Sequence, residues 1–110
     1  MKAEDMVFVG VNGRVLALDR HSGRSIWETR LKGSILGLGG GFVNLFFDRG
    51  DIFAHTNGRL FCLDSMSGRI KWENPLKWLG YEIATLASVS GSSGGQAVDA
   101  YKDRHAPSAD

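Results

Sequence analysis

Cysteine is nearly absent from this chain of 110 residues: Cys62 stands alone. One thiol excludes an intrachain disulfide, a paired-cysteine redox centre, two-cysteine haem attachment and any zinc site built on several cysteines. A dominant charge sign is lacking too. Lys and Arg number 13 against 12 Asp and Glu, a formal net charge of +1, and the cations are scattered. Nothing in that balance draws in nucleic acid or an anionic membrane over long range. No apolar run is long enough to span a bilayer. Residues 1–6 show neither the apolar stretch nor the cleavage site of a signal peptide. The expectation is a cytoplasmic protein with neither nucleic acid nor membrane among its partners. Helix-period patterning is missing throughout. The three histidines, His21, His55 and His105, fall in a turn, a strand and the C-terminal stretch, without metal-ligand spacing.

What the chain has is a repeat. Asn12-Gly13-Arg14-Val15-Leu16-Ala17-Leu18-Asp19 returns as Asn57-Gly58-Arg59-Leu60-Phe61-Cys62-Leu63-Asp64. Ser22-Gly23-Arg24 and Trp27-Glu28 return as Ser67-Gly68-Arg69 and Trp72-Glu73, always 45 residues on and without a gap. A fixed period of this length, with several short strands in each copy, is the mark of propeller blades. Residues 7–11 are β-branched and aromatic and stop at Asn12-Gly13, a pair that tolerates positive φ and marks a two-residue hairpin. Residues 14–19 alternate as a strand, and Asp19 opens a turn in which its carboxylate caps backbone amides and Gly23 takes the left-handed position. A third strand carries Trp27. Residues 42–47 read as a strand closing the first blade. Residues 52–56, 59–64 and 70–76 begin the second, and residues 82–89, which align with 37–44, read as its last strand.

Five positions spaced Ala17-x-Asp19-x-x-Ser22-Gly23-x-x-x-Trp27 resemble the tryptophan-docking motif of quinoprotein (PQQ-like) propellers. Cys62-x-Asp64-x-x-Ser67-Gly68-x-x-x-Trp72 is the second copy. Ser stands where the family usually has Thr, and Cys62 where it has Ala. Both changes keep the chemistry, a hydroxyl in one case and a small residue in the other. The resemblance implies an all-β fold of two four-stranded antiparallel blades in residues 1–89, with repeats at about 7–51 and 52–89. The stretch 90–110 is expected to be a flexible Gly/Ser-rich tail, with a short docking strand at 97–101 as the alternative. Physical reasoning gives the motif the same role. Trp27 and Trp72 are large planar rings suited to packing one blade on the next, Asp19 and Asp64 are turn caps, and Cys62 is a small apolar core residue.

Function is less legible. Enzymes of the resembling family hold pyrroloquinoline quinone and calcium in a complete ring of blades. Two blades without an adjacent-cysteine pair or a calcium-type carboxylate cluster do not meet that pattern. The expectation is therefore a non-enzymatic binding or scaffold module without a cofactor. The alternatives are a lectin-like ligand-binding propeller and a fragment of a PQQ-dependent dehydrogenase. Trp78 and Tyr81 occupy a loop where the first repeat has Gly33 and Leu36, so the repeat does not call for them. With His55, on a strand near a propeller's channel, they are the candidate ligand surface for a protein or a small molecule. Two sheets leave apolar faces uncovered. A closed homo-oligomer resolves this, with a trimer giving six blades and a tetramer eight. A place within a longer protein and a two-sheet sandwich are the other solutions.

Overall fold

The computed structural model describes residues 1–31, 41–80, 84–89 and 91–92. A short 3-10 turn, Ala3–Asp5, leads into β1 (Met6–Val11), β2 (Arg14–Asp19) and β3 (Ser25–Arg30). After the break come β4 (Asn44–Asp48), β5 (Asp51–Thr56), β6 (Arg59–Asp64) and β7 (Ile70–Asn74), and then β8 (Ala87–Ser88) and β9 (Gly91–Ser92). β1, β2 and β3 form one antiparallel sheet, β4 to β7 a second, and β8 with β9 a two-stranded ladder. No α-helix occurs among the described residues, and none of them forms a helix long and apolar enough to cross a membrane.

The repeat is reproduced in detail. Asn12 and Gly13 have φ of 52° and 72°, and Asn57 and Gly58 have 50° and 74°. Positive φ at both central residues gives the primed turn whose twist matches the strands it joins. A register shift between Ala17 and Leu18 recurs between Cys62 and Leu63. The Arg14–Glu28 ion pair across β2 and β3, at 3.0 Å, recurs as Arg59–Glu73 at 2.6 Å.

One expectation is corrected. The first sheet has three strands rather than four, because the strand read as its closing member belongs to the second sheet. Arg49 and Gly50, with φ of 52° and 84°, make another tight hairpin. That turn places Asp48 opposite Asp51 and so locks β4 against β5. Nor does the stretch read as a last strand join either sheet in its described part: Ala87 and Ser88 pair with Ser92 and Gly91. The proposed tail, apart from Gly91–Ser92, lies outside the described residues, as does the 97–101 alternative.

The core lies between the two sheets. Strand register places Phe8, Ala17 and Trp27 side by side on one face of the first sheet, with Val15 beside them. Phe8, Val15 and Trp27 pack against Ile52, Ala54, Phe61 and Leu63 on one face of the second. All four of those residues are at most 1% exposed. Gly10 allows a close approach: a Cβ there would lie 2.9 Å from Val43 Cβ. Phe8 and Phe47 stack across the joint with ring centroids 5.8 Å apart.

Candidate functional site

The motif residues build two copies of one turn. Asp19 Oδ1 accepts the amides of His21 at 2.7 Å and Ser22 at 3.1 Å. The Gly23 amide donates to the Asp19 carbonyl at 2.8 Å, and the Arg24 amide to Ser22 Oγ at 3.2 Å. In the second copy, Asp64 Oδ2 accepts the Ser67 amide at 2.9 Å and the Ser67 hydroxyl at 2.8 Å. The Gly68 amide donates to the Asp64 carbonyl at 2.8 Å, and the Arg69 amide to Ser67 Oγ at 3.2 Å. Gly23 and Gly68 have φ of 76° and 78°. The backbone donors of His21 and Ser22 hold the Asp19 carboxyl below its ordinary value, and the Ser67 hydroxyl and amide do the same for Asp64. A general acid at neutral pH needs the opposite shift. Both aspartates act as turn caps.

The second turn receives Trp27. The indole Nε1 donates to the Ser65 carbonyl at 3.0 Å, and Thr29 Oγ1 donates to the Gly68 carbonyl at 2.6 Å. The ring lies against Gly68, where a Cβ would collide with Cε3 and Cδ2 of the indole. Glycine at this position therefore serves two ends: it takes a left-handed φ, and it leaves a bare peptide for the ring to cover. Trp72 has no such seat within the described chain. It is 45% exposed and touches Phe53, with centroids 6.1 Å apart. The Gly23 turn likewise has no ring on it: a Cβ there would meet nothing within 4 Å.

A separate groove of about 670 Å³ opens at the end of the second sheet, between the Asn57–Gly58 hairpin, Arg59, Pro75, Leu76, Lys77, Trp78 and Gly80. Trp78 stands at its rim, 97% exposed. The Leu76 amide donates to Asn74 Oδ1 at 2.9 Å and the Leu79 amide to the Leu76 carbonyl at 3.2 Å. With φ of 47° at Leu76 and 69° at Trp78, this tight turn throws the indole outward. Tyr81 lies outside the described residues. Arg59, Lys77 and the hairpin are groove members that sequence reasoning did not join to Trp78. The signal was the meander itself, which returns the end of β7 to the start of β6, Asn74 opposite Leu60.

His55 is 5% exposed and withdrawn from solvent, and burial pushes its pKa down. Cys62 is buried at 2% exposure, and desolvation pushes its thiol up, away from reactivity. Among the described residues, no three His, Cys, Asp or Glu side chains gather to hold a metal. Asp19 Oδ1 and Asp64 Oδ2 are already taken by amides and a hydroxyl. The described residues therefore do not fit a quinone–calcium centre, which needs several free oxygen ligands.

A family model described as outer membrane protein assembly factor BamB matches residues 3–100. The chain belongs to this BamB-type, PQQ-like repeat family. Among solved structures, BamB from Moraxella catarrhalis is similar, with a TM-score of 0.52 and 21% identity over 64% of this chain. That likeness concerns the fold. The chain spans 20% of the length of that BamB chain. No curated protein matches it. In this chain the Trp27 joint ties the first sheet to the second.

Proposed function

We propose that the chain is a non-catalytic binding and scaffold module of PQQ-like blades, with the Trp78 groove as its ligand-facing surface. The observation that carries this is an indole 97% exposed at the rim of a groove of about 670 Å³, on a turn that supplies no core packing for it. A large aromatic held in water on a positive-φ turn is an unusual expense unless something covers it. Arg59 and Lys77 add donors beside it, so the groove offers a stacking plane and hydrogen-bond donors together. Such a set suits a polar loop of a protein or a small hydroxylated molecule. The name of the matched family, an assembly factor, lends support to a scaffold role rather than an enzymatic one.

The test is binding of the wild-type chain and Trp78→Ala to peptide and glycan arrays. A ligand retained by the wild type and lost in the variant supports the groove. No ligand on either array, or equal binding by both proteins, would count against it. A lectin-like role is the second reading, favoured by the exposed indole, and a hit confined to glycans would select it. Reduction of an artificial electron acceptor after addition of PQQ and calcium would overturn the non-catalytic assignment.

A further inference from the structure

The Asn57–Gly58 hairpin at the Trp78 groove differs from its twin in what its main chain bonds to. At the Asn12–Gly13 hairpin, the Gly13 carbonyl accepts the Leu31 amide at 2.9 Å, and the Gly13 amide donates to the Gly41 carbonyl at 3.1 Å. Leu31 is 7% exposed, so the chain itself closes over that turn. The second hairpin, 45 residues on, has nearly the same pair of φ angles, and the closure is missing. The Leu76 amide, counterpart of the Leu31 amide, donates to Asn74 Oδ1 instead. Leu86, counterpart of Gly41, borders the hollow beside Trp72. Among the described residues, neither the Gly58 amide nor the Gly58 carbonyl has a hydrogen-bond partner, although Gly58 is buried.

Two residues account for the difference. Thr29-Arg30, inside β3, is replaced in the second repeat by Asn74-Pro75, and β7 ends at Asn74. Pro75 has no N–H with which to extend the ladder, and its ring fixes its own φ. The Asn74 side chain then takes the Leu76 amide, and Leu76 turns into a left-handed φ of 47°. The chain thus leaves the hairpin at the point where Leu31 covers the first one. The groove of about 670 Å³ opens there, with Gly58 in its lining and the apolar surface of Pro75, Leu76 and Trp78 beside it. Native proteins pair the great majority of their buried main-chain groups. Gly58 therefore calls for an occupant that brings both an N–H and a C=O.

We propose that the groove binds an extended segment of polypeptide through its main chain. An N–H of the bound segment donates to the Gly58 carbonyl, as the Leu31 amide does to Gly13. A C=O of the segment accepts the Gly58 amide, as the Gly41 carbonyl accepts that of Gly13. An aliphatic side chain of the segment lies among Pro75, Leu76 and the Trp78 indole. This rests on the reading of the Trp78 groove as the ligand-facing surface and narrows it to peptide rather than glycan, because main chain occupies the matching place in the first repeat. Main-chain hydrogen bonds supply affinity without selecting a sequence, and the apolar wall selects the class of side chain.

The experiment screens the whole chain against a display library of short random peptides, with a glycan array beside it. The tightest peptide is then synthesised and its affinity measured by fluorescence anisotropy. Replacing its amides by esters one at a time deletes single N–H donors without touching the protein. At one position this should weaken binding by about fivefold or more, the loss of one main-chain hydrogen bond. The Asn74→Thr, Pro75→Arg double variant restores the first-repeat sequence and frees Leu76 to close on Gly58. It should lose the peptide with Trp78 still in place, and circular dichroism checks that it is folded. Trp78→Ala should weaken binding by about thirtyfold, as for a central interface tryptophan. Hydrogen exchange at the Gly58 amide should slow when the peptide is bound. Glycan binding that Trp78→Ala abolishes, with no peptide retained, would overturn the peptide assignment and leave the groove reading standing. So would a peptide that tolerates every ester, or one that the double variant binds as well as the wild type does. A peptide bound equally by Trp78→Ala, or no ligand of either class, would overturn both.

Discussion

Gly23 and Gly68 are the same residue in the same turn, with φ within a few degrees, yet they should respond differently to one added methyl group. At Gly23, alanine meets only the backbone penalty of a left-handed φ, about 1 kcal/mol, since nothing lies within 4 Å of its Cβ. At Gly68 the same penalty applies, and in addition the new Cβ collides with Cε3 and Cδ2 of the Trp27 ring and lies 2.8 Å from Thr29 Oγ1. Trp27 must lift, and overpacking of this kind costs about 1–3 kcal/mol. Lifting the ring weakens the Trp27 Nε1 bond to the Ser65 carbonyl, and displacing Thr29 weakens its Oγ1 bond to the Gly68 carbonyl, each worth about 1 kcal/mol net. Gly68→Ala should therefore destabilise by about 3–5 kcal/mol and Gly23→Ala by about 1 kcal/mol. Against a total stability of about 5–15 kcal/mol for a domain, the gap is easily measured. The assay is urea unfolding at equilibrium, followed by circular dichroism. Equal losses from the two substitutions would falsify the claim that the ring on Gly68 ties the sheets together.

The two tryptophans should part in the same way. In single chains, Trp27→Ala is expected to cost about 3 kcal/mol or more and Trp72→Ala less than about 1 kcal/mol, read from the same urea curves. Acid should loosen both turns. Asp19 and Asp64 have folded pKa values below the ordinary carboxylate range, so their stabilising effect is complete above that range and disappears as pH falls through the folded values. The Asp19→Asn, Asp64→Asn double variant should be less stable at neutral pH and show a shallower acid dependence, measured as urea midpoint against pH. Cys62, buried and with its thiol pushed up, should react with an aromatic disulfide reagent only as fast as the chain opens. Rapid labelling of the native protein would contradict its placement in the core.

Much of the fold could be read from short-range chemistry. Asn12-Gly13 and Asn57-Gly58 announce primed turns because few other pairs accept positive φ twice in a row. Asp19 and Asp64 announce caps because a carboxylate one bond from the backbone reaches amides two and three residues on. A constant offset carried the three strands of one repeat onto the other. Strand ownership was not legible in this way. Residues 42–47 pattern as a strand in any sheet, and only the tight Arg49–Gly50 turn, with both φ positive, committed them to the second. The 82–89 stretch was matched by alignment to 37–44, where local pattern is weakest. The groove at Trp78 was half visible. A bulky residue outside the repeat's needs could be picked out, but its neighbours Arg59 and Asn57 lie many positions away and meet it only through the meander.

Sequence by itself determined the repeat, its turns and the identity of the docking residues, because these rest on contacts within a few positions and on which residues tolerate a left-handed φ. Tertiary structure decided which tryptophan is seated. Trp27 and Trp72 are identical in motif and spacing, and nothing local distinguishes them. One has a following sheet whose bare glycine and free carbonyls receive it. The other is 45% exposed and borders a hollow of about 200 Å³ that it shares with Phe53, Leu60 and residues 86–88.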